Sequence, residues 1–327
     1  MSFYKSKNIL ITGGAGFVGI NLIKGLLNLG ANITATIYKK QPVINNKEIT
    51  YISCDLKNPQ DCRKVCDNME YVFMCAANTS GAKVIATTPL VHLTPNILMN
   101  MNMLEAAYEA EVEKFLFMSS NTVYPFTDFP VKEDDITNEF YKSYHIVAWM
   151  KRFTEIVCEM YSNRIQEPMK TIIVRPGNLY GPYDKFDREK SKVIPALIRR
   201  AVEKQNPFEV WGDGMDLKDF LYIDDYIDGM LLSMEYIDKF RAINIASGNA
   251  VTIRDVLKEI LIAADYQDAS VEYDASKPTM IPKRMIDISL AKELLGWTPK
   301  VSLGEGIQLT VDWYRETYSD KIPENTI

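Results

Sequence analysis

The first forty residues alternate between short apolar runs and one amphipathic segment. Residues 9–11 form an apolar run rich in β-branched side chains, which predicts a strand. Apolar residues then recur at helical spacing over residues 17–27, and Gly30 ends that helix. Residues 33–37 alternate between apolar and polar as the next strand. The N-terminal segment therefore predicts a β-α-β unit.

Four further apolar runs continue this pattern, and helical segments separate most of them. The runs read EITYISCD, EYVFMCAA, EKFLFMSS and MKTIIVRP. Strands that alternate with helices are typical of a parallel sheet covered by helices on both faces. We therefore predict an α/β fold, a Rossmann-type doubly wound sheet with a ligand crevice at its strand ends.

The composition of the chain changes after Pro176, where Pro, Gly, Asp and Tyr become frequent. Helical patterns follow near residues 252–264, 289–295 and 303–318, and the run AINIASG reads as a return to the sheet. We predict a dinucleotide-binding domain over residues 1–177, to which the chain returns near 219–248. Residues 178–218 and 249–327 then form a smaller, mostly helical substrate-binding lobe.

Composition and charge exclude several functions. The net charge of −6 argues against a nucleic-acid partner, because such proteins carry a basic surplus. No apolar run approaches the 18 residues of a membrane span, and the N-terminus lacks a signal-peptide pattern. Five Cys without a C-x-x-C pair indicate reduced thiols and a cytoplasmic protein. With only two His, we expect no metal site and no Ser-His-Asp triad.

A glycine-rich turn joins the first strand to the first helix. Glycines at this spacing allow a tight turn, close approach of the backbone to a diphosphate, and close packing of helix on sheet. The free N–H groups and the dipole of the helix N-terminus then favour an anion. The segment predicts a dinucleotide site formed by Thr12, Gly13, Gly16, Phe17, Val18 and Gly19.

The end of the second strand bears on the choice between NAD and NADP. An acidic residue there would bind the ribose 2′-hydroxyl, whereas a basic residue accommodates a 2′-phosphate. This chain has no acid at that point, and Lys39 and Lys40 follow Tyr38. The pattern favours NADP(H) over NAD(H), with Lys39 as the phosphate partner. If the two lysines only form a solvated turn, the choice stays open. Asp55, after the third strand, is a partner for the adenine end.

The motifs together resemble those of the extended short-chain dehydrogenases/reductases, the family of NAD(P)-dependent nucleotide-sugar epimerases and dehydratases. The glycine turn, Asp55-Leu56, CAAN, SSNTVYP, the helix with Lys151 and RPGNLYGP occur in the family's order. RPGNLYGPYDKFD followed by VIPALIRRAVE is most similar to the GDP-L-fucose synthase branch. The resemblance implies hydride transfer at a sugar carbon, C4, of a nucleotide sugar, a GDP-sugar in that branch. It also implies a homodimer built on two helices, one of them the helix with Lys151.

The resemblance also assigns roles to individual residues. Ser120 and Thr122 would lie at the reacting sugar, and Lys151 would hold the nicotinamide ribose. Leu56, Ala76, Ala77 and Pro176 would line the cofactor. The substrate would meet Asn78, Thr122, Asn178, Lys192, Lys218 and Arg284.

Two of these positions depart from the family pattern. Lys218 stands where an Arg is usual, and it offers a point charge instead of a bidentate fork. Lys192 stands where the GDP-L-fucose synthases use a His as an epimerisation acid, which weakens the case for 3,5-epimerisation.

The catalytic Tyr of this family would stand four residues before Lys151, and this chain has Val147 there. Tyr144 shares the helix face of Lys151 but would lie roughly 10.5 Å away along the axis, too far for the usual pair. It could serve only if the helix began late and the chain folded back, so Tyr144 is a weak catalytic candidate. Ser120, Thr122 or an ordered water could carry the proton instead.

Three hypotheses follow for the function. The first is an NAD(P)-dependent oxidoreductase or epimerase of a nucleotide sugar. The second is a non-catalytic dinucleotide sensor or inactive partner subunit, which Val147 favours. The third is a reductase of a non-sugar ketone, because GANITATIYKK resembles a strand–turn of dihydroflavonol reductase relatives.

Overall fold

The central sheet of the protein consists of seven parallel strands. A computed structural model describes residues 2–79, 88–188, 191–277 and 280–319. Across the sheet the order is β10-β6-β5-β4-β1-β2-β3. These strands are β1 (Asn8–Thr12), β2 (Asn32–Ile37), β3 (Ile49–Ser53), β4 (Tyr71–Met74), β5 (Lys114–Met118), β6 (Lys170–Pro176) and β10 (Arg241–Ile245). The predicted doubly wound sheet is confirmed.

Helices cover both faces of this sheet because the strands are apolar on both sides. Ile9 and Ile11 pack in one core cluster, whereas Leu10 between them packs in the other. The nine α-helices in the described ranges are α1 (Phe17–Asn28), α2 (Pro59–Cys66), α3 (Thr94–Glu109), α4 (His145–Asn163), α5 (Val193–Val202), α6 (Ile223–Tyr236), α7 (Ile253–Ala263), α8 (Ser289–Leu295) and α9 (Leu303–Thr317). The first cluster contains residues of α1 and α6, and the second contains residues of α2, α3 and α4.

Two small sheets lie outside the central one. The strands β7 (Asn178–Tyr180), β9 (Leu217–Tyr222) and β11 (Ala250–Thr252) form one, in the order β11-β9-β7. The strands β8 (Phe208–Trp211) and β12 (Val271–Asp274) pair in parallel as the other. The chain returns to the central sheet through α6 and β10, so β9 lies in a small sheet although it falls within the predicted return segment. The predicted helices near 252–264, 289–295 and 303–318 correspond to α7, α8 and α9.

The end of the predicted substrate-binding lobe, residues 320–327, lies outside the described residues. Among the helices that are described, none combines the length and the apolar character needed to cross a membrane.

Candidate active site

The glycine turn brings the start of α1 against the ends of β1 and β4. Gly13 has φ +74, and a Cβ there would lie 3.0 Å from the Cα of Ala76. A Cβ on Gly19 would lie only 2.3 Å from the carbonyl oxygen of Gly13. Neither position leaves room for a side chain, so the turn keeps the close backbone approach that a diphosphate site needs.

Among the residues that the structure describes, no side chain caps the N-terminus of α1. Gly16 is the N-cap and supplies no side-chain acceptor, and the first turn, which starts with Phe17 and Val18, contains no acidic residue. Thr12 fixes the neighbouring strand end, because its Oγ1 accepts hydrogen bonds from the N–H groups of Cys75 and Ala76, both at 3.0 Å. The free N–H groups and the helix dipole form a site suited to an anion.

The adenine end of the predicted cofactor site contains the Lys39 ammonium and the Asp55 carboxylate, which already accepts hydrogen bonds from protein groups. The Lys39 ammonium lies 5.5 Å from the centre of the exposed Tyr38 ring. Partial burial would raise the pKa of Asp55, but hydrogen bonds from Lys57 and Tyr38 outweigh it and lower that pKa. Leu56 is buried in the core, and its carbonyl accepts a hydrogen bond from Asn102.

Ser120 and Thr122 form a pair of hydroxyls just beyond the end of β5. Ser120 caps a short 3₁₀ turn, Asn121–Val123, where its Oγ accepts from the N–H of Thr122 at 3.2 Å. The Oγ1 of Thr122 donates to the same oxygen at 3.0 Å. Because Ser120 Oγ receives both bonds, its own proton is free to point at a substrate oxygen.

Lys151 reaches the same strand end from α4. Its side chain is buried, and its Nζ donates to the carbonyl oxygen of Met118 at 2.6 Å and lies 4.7 Å from the centre of the Phe117 ring. Burial lowers the pKa of Lys151 to about 8, although Glu155 and Cys75 oppose the shift. The ammonium therefore gives up its proton more readily than that of an exposed lysine does.

Val147 lies on α4 four residues before Lys151 and is partly buried. Tyr144 stands outside the helix, as its N-cap, at the end of a 3₁₀ turn. Burial raises the pKa of the Tyr144 phenol to about 12, against the opposing charge of Arg284. Tyr144 thus interacts with the Arg284 guanidinium.

Pro176 and Asn178 lie where the central sheet passes into the small sheet of β7, β9 and β11, and Asn78 lies beyond the end of β4. The side-chain amide of Asn178 donates to the carbonyl oxygen of Asp219 at 2.9 Å. The carbonyl oxygen of Pro176 accepts from the Asn121 amide at 2.8 Å. The Asn78 side chain donates to the carbonyl oxygen of Val91 at 2.9 Å and holds the chain after β4. Ala77, just before it, is exposed.

Lys192, at the N-cap of α5, lies close to the start of α1. Its ammonium lies 5.3 Å from the centre of the Phe17 ring, at the first residue of α1. It also lies 3.7 Å from the carboxylate of Asp184, whose side chain is buried. Sequence reasoning missed Asp184, because nothing in the pattern marks it as close to Lys192.

Lys218 and Arg284 are both held by protein oxygens. The Arg284 guanidinium is buried and donates to the carbonyl oxygens of Tyr124 and Pro125 at 3.0 and 2.9 Å. Lys218 donates to the Asp216 carboxylate at 3.1 Å and to the carbonyl oxygen of Ile281. Burial lowers the pKa of Arg284 to about 10, and it lowers the pKa of Lys218. The two cations approach closely enough to repel each other.

Comparison with known proteins relates this geometry to one family. The sequence profile of the NAD dependent epimerase/dehydratase family matches residues 9–246. GDP-L-fucose synthase 1 from Arabidopsis thaliana is 33% identical over 324 residues, which cover 95% of this chain and 94% of that protein. GDP-mannose 3,5-epimerase 1 from Oryza sativa subsp. indica is 29% identical, with 94% and 82% covered.

A solved structure agrees with these relatives. The UDP-glucuronic acid 4-epimerase from Bacillus cereus, in complex with UDP-glucuronic acid and NAD, has a TM-score of 0.84 at 26% identity. The alignment covers 95% of this chain and 100% of that one.

Proposed function

Because the chain belongs to the NAD dependent epimerase/dehydratase family, we propose that it is an NAD(P)-dependent oxidoreductase or epimerase that transfers hydride at C4 of a GDP-sugar. The observation that carries this proposal is the convergence of Lys151, Ser120 and Thr122 at the end of β5, beside the glycine turn. The names of the relatives, GDP-L-fucose synthase and GDP-mannose 3,5-epimerase, support a GDP-sugar as the substrate.

The chain's own groups suit the cofactor. The glycine turn has no room for a Cβ at Gly13 or Gly19, and the N-terminus of α1 would hold the diphosphate. When bound, a nicotinamide dinucleotide supplies the hydride acceptor or donor. Lys151 would hold the nicotinamide ribose, and Lys39 would meet a ribose 2′-phosphate, which is why we propose NADP(H) over NAD(H).

The proton has a route that does not need a tyrosine. In the reducing direction Ser120 Oγ would give its proton to the sugar carbonyl oxygen. Thr122 Oγ1, which already donates a 3.0 Å hydrogen bond to Ser120 Oγ, would replace that proton and take one from a water molecule in turn. Lys151 can exchange protons at neutral pH because its pKa is about 8. Val147 in place of Tyr would slow proton transfer but leave the positioning of the two reactants intact.

The second candidate function is a dinucleotide sensor without catalysis, which Val147 favours. Retention of the substrate side argues against it. Asn178 and Lys218 lie in the small sheet and Lys192 lies beside Phe17, and a pure cofactor sensor would not need them. A reductase of a non-sugar ketone is the third candidate, and it would act without a nucleotide on its substrate.

The proposed homodimer rests on two neighbouring helices. Asn100 on α3 donates to Thr154 on α4 at 3.0 Å, so the two helices pack side by side. Both expose large apolar side chains: Leu98 on α3 and Trp149, Phe153 and Met160 on α4. A second copy would remove this surface from water.

The proposed function is tested by identifying what the freshly purified protein releases on denaturation, followed by assays with GDP-sugars. Mass spectrometry of the released material should find NADP(H) or NAD(H). Purified protein supplied with both dinucleotides should convert a GDP-sugar, and it should act less well on the matched UDP-sugar. An empty protein that binds no added dinucleotide would overturn the proposal. A protein that binds dinucleotide but no nucleotide sugar would favour the sensor, and turnover of a plain ketone would favour the third candidate.

A further inference from the structure

We propose that Glu155 is a positioning residue that holds Lys151 and Ser120 in fixed geometry relative to each other. The inference rests on the proposed function only in taking these two side chains as the reacting pair. Glu155 touches neither of them by a hydrogen bond. It acts through the neighbours of both.

The Glu155 carboxylate lies at the centre of a buried polar cluster on α4. The side chain is fully buried, one helical turn beyond Lys151. Its Oε1 accepts from Ser119 Oγ at 2.5 Å and from Arg175 Nε at 2.9 Å. Its Oε2 accepts from Arg175 Nη2 at 2.8 Å and from Arg152 Nη1 at 3.1 Å. Four donors thus fix the carboxylate in one orientation.

These bonds join α4 to the two strand ends that form the site. Ser119 directly precedes Ser120, so its bond to Glu155 fixes the backbone that presents the Ser120 hydroxyl. Met118, one residue earlier, accepts the hydrogen bond of Lys151. The helix therefore contacts the end of β5 at two points one turn apart, and the reacting pair cannot shift unless both contacts change.

Arg175 extends the connection to the far side of the Ser120 turn. Its Nη1 donates to the Tyr124 hydroxyl at 3.0 Å and to the carbonyl oxygen of Glu133 at 2.8 Å. The Tyr124 hydroxyl in turn donates to Asn244 Oδ1 at 2.6 Å. Tyr124 lies four residues after Ser120, so the Glu155–Arg175 pair holds the turn at both of its ends.

Burial makes a role in stability alone a poor explanation for this pair. The side chains of Glu155 and Arg175 are 0% and 3% exposed. For two charges buried this deeply, the free energy lost with their hydration exceeds the free energy of their attraction unless their geometry is fixed. Apolar side chains of similar size would fill the space at less cost. What an apolar pair could not supply is a directional link to Ser119 and a negative charge close to Lys151.

That negative charge also acts on Lys151 directly. The groups that face the Lys151 ammonium are Glu155 on α4 and Cys75 after β4, and both favour its charged form against the effect of burial. Arg152 and Arg175 contact Glu155 from its other side. Removing the Glu155 charge should therefore make Lys151 lose its proton at a lower pH.

The test compares Glu155→Gln with Glu159→Gln, the same chemical change one turn further along α4. Glu155→Gln should lower kcat by about 100-fold, the cost of a misplacement of roughly 1 Å, with KM for the GDP-sugar nearly unchanged. The alkaline fall in dinucleotide affinity should move to lower pH in this variant. Glu159→Gln should change neither quantity. An unchanged kcat together with an unchanged pH profile in Glu155→Gln would overturn the proposal.

Two features keep the test decisive. Dinucleotide affinity is measured without any sugar, so the proposal on Glu155 can be judged even if the proposed substrate class is wrong. If Glu155→Gln does not fold, Ser119→Ala decides, because it removes one hydrogen bond and leaves every charge in place. It should lower kcat without moving the pH profile. Wild-type kcat in Ser119→Ala would contradict the positioning role.

Discussion

Val147 leaves the Lys151 ammonium without a phenol on the neighbouring turn of its helix. A lysine with a pKa of about 8 is charged for most of its time at neutral pH and still able to exchange its proton. The hydroxyl pair of Ser120 and Thr122 lies at the same strand end. At the scale of single residues, we therefore propose that these groups supply the proton in place of the tyrosine.

We expect Val147→Tyr to raise the rate of hydride transfer by about 10²–10⁴-fold, the usual contribution of a positioned acid or base. A phenol at this position would stand one turn from the Lys151 ammonium, which favours its ionised form. Val147→Phe is the matched control, because it adds the ring without the hydroxyl. Single-turnover kinetics with saturating cofactor and GDP-sugar measure the effect. Equal rates in the Tyr and Phe variants would refute a role for a proton donor at this position.

At the scale of elements, α1 depends on glycine at one face and tolerates a side chain at another. The Gly19 position faces the backbone of the glycine turn, with 2.3 Å between a Cβ and the carbonyl oxygen of Gly13. The Gly25 position, on the same helix, faces the side chain of Ile227 at 3.2 Å. A side chain can move aside by a few tenths of an ångström, but the backbone of a tight turn cannot.

Gly19→Ala should therefore destabilise the protein by about 1–3 kcal/mol, as overpacking does, and weaken dinucleotide binding by at least about 10-fold. Gly25→Ala should stay within about 1 kcal/mol of the wild type, because the better helix propensity of Ala offsets the tighter contact. Denaturant unfolding and dinucleotide titration provide the two measurements. Similar losses in both variants would mean that the turn has no special need for close approach.

At the scale of the whole molecule, Asp219 joins the small sheet to the central one. It lies on β9, and its carboxylate accepts the N–H groups of Ser247 and Gly248, just beyond β10, at 2.8 and 2.9 Å. Burial raises the pKa of Asp219 to about 6, although these hydrogen bonds oppose the shift. The native state therefore binds a proton that the unfolded chain releases between its ordinary pKa of 3.8 and about 6.

The contribution of Asp219 to stability should be fully present below pH 3.8 and be lost as pH rises through about 6. The shift corresponds to about 3 kcal/mol. Asn cannot titrate, so Asp219→Asn should not lose this contribution as the pH rises. The unfolding free energy of the variant should therefore increase relative to that of the wild type over this pH range. Urea unfolding at several pH values between 4 and 7 measures that slope. A parallel pH dependence in the two proteins would rule out Asp219 as the titrating group.

The regular parts of the molecule could be predicted from the sequence because period and composition are local. The apolar runs predicted the first six strands of the central sheet, and the glycine turn could be recognised from its spacing and its place between a strand and a helix. The cluster of Glu155 and Arg175 could not be predicted, since the two residues stand twenty positions apart and meet only when α4 packs on β6. Asp219 was missed for the same reason, because Ser247 and Gly248 come from a distant segment. Asp184 stands close to Lys192 in the sequence, but it lies in the irregular segment between β7 and α5, which no periodicity describes. The late start of α4 at His145 depends on the 3₁₀ turn before it, which no periodicity marks.

The order of strands in the central sheet has a consequence for the protein during its synthesis. β10 pairs with β6, yet residues 177–240 separate the two strands along the chain. Until Arg241 has left the ribosome, β6 is the edge strand of the sheet. Its N–H and C=O groups on the β10 side then have no hydrogen-bond partners in the sheet, and its apolar side chains are less well covered than in the complete fold. Nascent chains that pause within this interval would expose an unpaired, aggregation-prone strand edge, through which they could associate with one another or bind chaperones.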